Sequence, residues 1–326
     1  MTIKHNVVHM LKQTLKKIVE NVLINTPFFG TRFEKMLQAY RLSAYPPGHY
    51  HSTIPSLEEV KQNDKRIFEN EKLAGINLSE AAQLQLLKKL KEYYSGLHYE
   101  FDETKAEGAH LRYQTRNAWY RYSDAIFLHC MMMHYRPKRI IEIGSGHSSA
   151  VMLDTNEFSL NNSIDFTFIE PFPENRLLKI LRPTDYAQIK ILKNFTQDVD
   201  TDLFSSLGEN DFLFIDSTHV SKVGSDVNYI FFEILPVIKP GVIIHFHDIF
   251  YPFEMPRHWV YEKKWFWNEN YMLRAFLMDN PFYEILLFNT MMQKKHRDWF
   301  AKEMPKCLIG EKDTGSIWLR KKDPKN

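Results

Sequence analysis

The chain has 326 residues, 44% hydrophobic and 25% charged, with 42 Lys and Arg against 40 Asp and Glu. A globular chain with one large domain plus an appendage fits those values, and a net charge of +2 excludes a global field that would recruit nucleic acid. The 2 cysteines, Cys130 and Cys307, sit within or beside apolar sequence, which argues against a disulfide framework and for a reducing, cytoplasmic setting.

The first residues lack the uninterrupted apolar core of a signal peptide and carry too much charge to span a bilayer. Val8, Leu11, Leu15, Ile18 and Val22 recur at helical spacing with Lys12, Lys16 and Lys17 among them, predicting an amphipathic basic helix over 4–24. Its apolar face is expected against its own domain or a second subunit; peripheral contact with an anionic membrane is the alternative. From Arg41 the prolines of YPPGHYHSTIP predict an extended loop. Ser56 followed by Glu59 predicts a capped helix from Leu57, and Leu84, Leu87, Leu90 and Tyr94 a second helix ending near Gly96. Residues 1–110 are read as a helical, loop-rich appendage and 111–326 as the main domain.

Short apolar runs then alternate with helical patterns. SDAIFLHCMMMHY predicts a helix, RIIEIG a strand, SSAVMLDTNEF a helix and DFTFIE a strand. ENRLLKIL predicts a helix, QIKILKN and NDFLFID strands, VNYIFFEILPVI a helix and GVIIHFHD a strand. ENYMLRAFLMDN reads as a helix, FYEILLFN and GSIWLRK as late strands. Runs this continuously apolar suit a parallel sheet covered on both faces, so the fold class is α/β, doubly wound, with ligands at the carboxyl ends of the strands.

The motif EIGSG, Glu142–Gly146, ends the first strand. Gly144 and Gly146 let bare backbone approach a ligand, and the third position of a dinucleotide fingerprint holds Ser149 instead of glycine. A carboxylate at Glu142 disfavours an anion and favours a cationic ligand such as S-adenosylmethionine (SAM). Together with IEP (Glu170), FIDSTH and HFHD in this order, the motif resembles the class I SAM-dependent methyltransferases, of the small-molecule or glycan O-methyltransferase type related to macrolide-sugar and cephalosporin-biosynthesis enzymes. The resemblance covers Tyr113 to Lys321 and implies a mostly parallel seven-stranded, Rossmann-like sheet. By the same resemblance Glu142 lies near the amino-acid moiety of SAM, Gly144 and Gly146 help shape the cofactor site, Glu170 accepts from the ribose hydroxyls and Asp198 meets the adenine amine.

The chemistry needs a base if the acceptor is a hydroxyl. His219 stands at a ligand-facing strand end and an imidazole titrates near neutrality, so it is the candidate base, with Asp216 expected to orient it or the substrate. His247 is a further candidate at the site. The resemblance also implies a divalent ion on Asp216 and Asp248, magnesium or manganese, but His247 replaces an acid found in several relatives; direct binding of substrate by these side chains is the competing reading. The aromatic stretch YPFEMPRHWVYEKKWFWNENYML is expected to cover the site and stack on a ring-bearing acceptor. The resulting reading is a cytoplasmic enzyme methylating a hydroxyl of a small molecule or glycan. An NAD-linked oxidoreductase and a noncatalytic scaffold in a biosynthetic complex are the alternatives, and self-association stays open.

Overall fold

The computed structural model describes residues 15, 18, 19, 43–99 and 110–323. The helix expected over 4–24 lies outside them, apart from Leu15, Ile18 and Val19. The chain divides into two units, 1–64 and 65–326.

In the first unit the proline-rich stretch forms turns. Gly48 takes φ +85°, and its N–H donates to the Ile54 carbonyl at 2.9 Å. The Ser56 side chain accepts from the Glu59 N–H at 3.4 Å and starts the helix Leu57–Gln62, where the Ser-x-x-Glu spacing predicts it.

The second unit is built on a seven-stranded sheet. Its strands are β1 (Arg139–Ile143), β2 (Asp165–Ile169), β3 (Ile189–Leu192), β4 (Phe212–Ile215), β5 (Ile243–His247), β6 (Tyr283–Phe288) and β7 (Ser316–Lys321), in the order β3-β2-β1-β4-β5-β7-β6. Neighbours among β1 to β5 pair parallel, whereas β7 runs antiparallel to both β5 and β6. Every residue of β4 and β5 is buried, the reason FLFI and IIHFH read as nearly unbroken apolar runs. Alternation on β5 puts His245 and His247 on one face, ring centroids 6.2 Å apart, and Phe246 on the other against Phe231 at 5.6 Å.

Helices α1 (Glu80–Tyr94), α2 (Tyr122–Tyr135) and α3 (His147–Ser159) pack in sequence, α1 on α2 and α2 on α3. Residues 65–99, grouped above with the appendage, belong to this second unit. Leu87 and Leu90 of α1 are fully buried, and the Gln83 side chain accepts from the Phe288 N–H of β6 at 2.7 Å. Helix α4 (Asp226–Tyr229) continues through a π-helical turn, Ile230–Ile234, into Leu235–Val237. Pro236 has no N–H for the regular ladder, and the widened turn accommodates it. Helix α5 (Glu269–Leu277) starts near the end of the aromatic stretch, and α6 (Asn289–Lys295) and α7 (Arg297–Glu303) lie between β6 and β7.

Buried Arg112 ties the segment before α2 to the sheet domain. Its guanidinium meets Asp154 of α3 at 2.9 Å, Asp185 at 2.5 Å and Glu157 at 2.6 Å. Four formal charges are thereby grouped as one hydrogen-bonded set, the condition under which charge is tolerated inside a protein. The anchored segment leads to Trp119, a wall residue of the site.

Candidate active site

Residues from the carboxyl ends of β1, β2, β4 and β5 meet around a cavity of about 550 Å³. This is where a doubly wound sheet places ligands. The turn after β1 decides how close the ends of β1 and β4 come. Gly144 takes φ +76°, and a Cβ there would stand 2.0 Å from the Asp216 carbonyl oxygen. No other residue fits without moving β4.

Glu142 has a different place from the one expected. It is fully buried and absent from the cavity wall, and its two oxygens accept from Ser148 Oγ at 2.6 Å and from Ser149 Oγ. Ser149 Oγ in turn accepts from the Gly146 N–H at 2.9 Å. The acid therefore stitches β1 to the first turn of α3. Burial pushes its pKa up to about 8, against the pull of the serine hydroxyls. Gly146 is likewise not a wall residue; it makes room for the Arg176 side chain, whose Cδ would lie 3.2 Å from an added Cβ.

On the β2 side Glu170 lines the cavity, its oxygens accepting from the Ser145 N–H at 3.2 Å and the Phe172 N–H at 2.9 Å. Each oxygen keeps a further lone pair for a ligand hydroxyl. Asp198, expected at an adenine, is exposed and outside the wall; its neighbours Thr196 and Gln197 on the same 3₁₀ turn line the cavity instead. Phe172 and Phe195 meet edge to face at 5.9 Å, and the Arg176 guanidinium lies 5.3 Å over the Trp119 ring, all four on the wall.

At the ends of β4 and β5 the expected Asp216, His219, His247 and Asp248 do come together. His219 Nε2 stands 3.4 Å from Asp216 Oδ1 and 3.7 Å from Asp248 Oδ2, and His247 Nε2 is 3.6 Å from Asp248 Oδ1. Asp248 reaches this side because the backbone leaves the strand at φ +55°, breaking the alternation that would have turned it away. Burial disfavours the charged form of His219, but hydrogen bonds to Asp216 and Glu269 and the charge of Asp248 win, so its pKa lies well above the ordinary value. Burial likewise opposes the charged forms of the two aspartates. The charges of His247 and His219 overcome it at Asp216, whose pKa falls below the ordinary value, whereas at Asp248 burial prevails and the pKa rises.

Trp267, from the aromatic stretch expected to cover the site, and Glu269, to which sequence reasoning gave no role, complete the cluster. Glu269, the first residue of α5, accepts from His219 Nδ1 at 2.8 Å and from Ser217 Oγ at 2.9 Å. Trp267 stacks on the His219 ring at 4.6 Å and 30°. Trp267 in turn stacks on Trp265 at 4.6 Å, and Trp259 meets both edge to face. Asp313 fixes the outer end, accepting from Trp259 Nε1 at 2.9 Å and Lys263 Nζ at 3.1 Å. Among these aromatics Trp267 faces the cavity; Trp259 and Trp265 back it.

The donor set does not fit a divalent ion. Among the described residues no three His, Cys, Asp or Glu side chains are placed to hold a metal. The position between Asp216 and Asp248 is taken by the His219 ring, which balances their charge.

Residues 141–249 match a family model described as a methyltransferase domain. That span runs from β1 past the end of β5 and contains every strand-end residue of the cluster. The seven-stranded, mostly parallel sheet, with β7 antiparallel between β5 and β6, agrees with the sheet that the resemblance implies. The chain carries a methyltransferase domain of the class I fold. It also belongs to one family with an uncharacterized protein of Archaeoglobus fulgidus, 34% identical over 170 residues, which cover 51% of this chain and 75% of that one. The methyltransferase is similar as well to solved structures of low identity. The SAH-bound Podospora anserina methyltransferase PaMTH1 aligns at 15% identity and TM-score 0.40 over 83% of this chain and 99% of that one. The O-methyltransferase TomG of Streptomyces achromogenes, involved in tomaymycin synthesis and in complex with SAM, aligns at 13% and 0.41 over 82% and 97%. Methyltransferases of this class draw the methyl group from SAM, and the cavity floor at Gly144 with Glu170 beside it suits that cofactor.

Proposed function

We propose that this methyltransferase transfers the SAM methyl group to a hydroxyl of a small molecule or glycan, with His219 as the base. The observation that carries the reading is His219 itself. Its Nδ1 is engaged by the Glu269 carboxylate at 2.8 Å, which holds a proton on that nitrogen, so that in the neutral ring Nε2 is the accepting nitrogen, beside the cavity. Bound SAM supplies an electrophilic methyl group on a sulfonium. Glu170 would receive the ribose hydroxyls, and the bare turn at Gly144 would take the amino-acid end. Asp216 and Asp248 flank Nε2, where they can accept from and align the acceptor hydroxyl before Nε2 takes its proton. Methyl transfer is an in-line displacement, so this alignment supplies much of the rate enhancement. Trp267 and Trp119 offer flat apolar faces suited to a sugar or aromatic ring.

The methyltransferase-domain match removes the support for the NAD-linked alternative. Both cysteines are free and buried, in keeping with a reducing compartment, and the cytoplasm is the proposed location. Among the described residues no helix is long and apolar enough to cross a membrane. The test is release of S-adenosylhomocysteine from SAM with free hexoses, 6-deoxyhexoses, uronic acids and catechols as acceptors. Release that depends on one of these hydroxyl compounds is expected; release with amines alone contradicts the proposal.

A further inference from the structure

Three successive residues, Trp267, Asn268 and Glu269, hold His219 from different directions. Trp267 covers the ring at 4.6 Å. The N–H groups of Asn268 and Glu269 both donate to the His219 carbonyl, at 3.1 and 3.2 Å. The Asn268 side chain clasps the backbone of Ser221 on both sides, accepting from its N–H at 2.6 Å and donating to its carbonyl at 3.1 Å. His219 itself sits at φ +60°, a conformation that a residue with a Cβ keeps only where its surroundings impose it. The Glu269 carboxylate, 1% exposed, then divides its oxygens between Ser217 Oγ and His219 Nδ1.

We infer that Glu269 is the positioning residue of the reaction: by accepting from His219 Nδ1 it fixes the tautomer in which Nε2 faces the acceptor, and the Trp267–Glu269 segment sets where that nitrogen points. The inference rests on the reading of His219 as the base. A carboxylate at the first residue of a helix is also favourable to the helix dipole, and that structural role alone would cost stability without touching the chemical step. A neutral imidazole carries its proton on either ring nitrogen, and Asp216 at 3.4 Å and Asp248 at 3.7 Å draw it toward Nε2, so the shorter contact of Nδ1 with Glu269 at 2.8 Å is what keeps Nε2 available. Ser217 donates to the other oxygen, and the two hydrogen bonds together hold the carboxylate plane. An amide at this position cannot accept on both sides, since one of its ends carries only donors.

The experiment compares the full-length wild type with Glu269→Gln, Glu269→Asp and His219→Ala. Single-turnover methyl transfer is measured at saturating SAM with the acceptor found in the panel above, SAM affinity by calorimetry, and the tautomer by ¹⁵N NMR of the histidine rings at a pH where they are neutral. The His219→Ala spectrum identifies the His219 resonances. The inference predicts Nδ1–H predominating in the wild type and lost in Glu269→Gln. It also predicts a chemical rate roughly tenfold to a thousandfold lower with SAM affinity unchanged, and part of the rate kept in Glu269→Asp, whose carboxylate is one methylene short. A folded Glu269→Gln with the wild-type rate and tautomer, alongside a slow His219→Ala, overturns the positioning role alone. An unaltered rate in His219→Ala overturns the base reading beneath it. If Glu269→Gln does not fold, Glu269→Asp decides by the same two readings.

Discussion

His219 shows how far surroundings reshape an ordinary side chain. Nothing in STHVSK marks that histidine beyond its place after a strand, and the sequence made it a candidate for that reason. The structure adds what the sequence could not carry: Glu269 and Trp267 lie 50 and 48 positions further on and meet His219 only through tertiary packing. Replacing His219 with alanine should leave SAM affinity nearly intact and lower the single-turnover rate roughly a hundred- to ten-thousandfold, as for loss of a general base. The sign of the pH dependence follows from the raised pKa. Neutral Nε2 becomes populated only as pH rises through a value above the ordinary 6.5, so the wild-type rate should climb on the alkaline side. Over the same range stability should move the other way. The hydrogen bonds to imidazolium contribute fully below the ordinary pKa and are lost as pH rises through the raised one. A rate that is flat with pH across that range, measured at saturating acceptor, would remove the base role.

At the scale of elements, the joint between β1 and α3 was legible as a shape and misread as a contact. EIGSG announces a strand, a tight turn and a helix, and Gly144 stands where only glycine fits. The resemblance then directed Glu142 toward the cofactor, whereas the nearest hydroxyls, Ser148 and Ser149, lie on the helix it precedes. Asp198 was displaced for a similar reason: a 3₁₀ turn advances about 120° per residue, so a wall made by Thr196 and Gln197 leaves the next side chain in solvent. Helices α6 and α7 escaped notice because the helical run breaks at His296, leaving two segments of 7 residues each and too little periodicity to read. Glu142→Gln tests the joint. The raised acid contributes stability that is complete below an ordinary 4.5 and is lost as pH rises through about 8. The amide variant should therefore keep the fold and SAM affinity and flatten the decline of stability with pH across that window, read by urea unfolding at several pH values. A variant with wild-type stability at every pH but weakened SAM binding would return Glu142 to the cofactor site.

Over the whole molecule, the order of apolar runs was the most informative feature of the sequence, because a strand buried on both faces tolerates little but apolar residues. All seven strands lie where those runs predict them. The pairing order β3-β2-β1-β4-β5-β7-β6 was not visible, since adjacency is set by helix packing on the two faces. The consequence of that order is spatial: it brings the ends of β1, β2, β4 and β5 to one cavity, so Gly144 and Glu170, proposed to hold the cofactor, and His219, the proposed base, share a wall. The central claim, that this cavity is built for SAM, is tested most directly by titrating SAM and NAD separately into the wild type and Glu170→Ala by calorimetry. SAM should bind the wild type and NAD should not, and loss of the Glu170 hydrogen bonds should weaken SAM by about 1.5 to 3 kcal/mol in the folded variant. Binding of NAD in place of SAM, or SAM affinity unchanged in Glu170→Ala, would contradict the account.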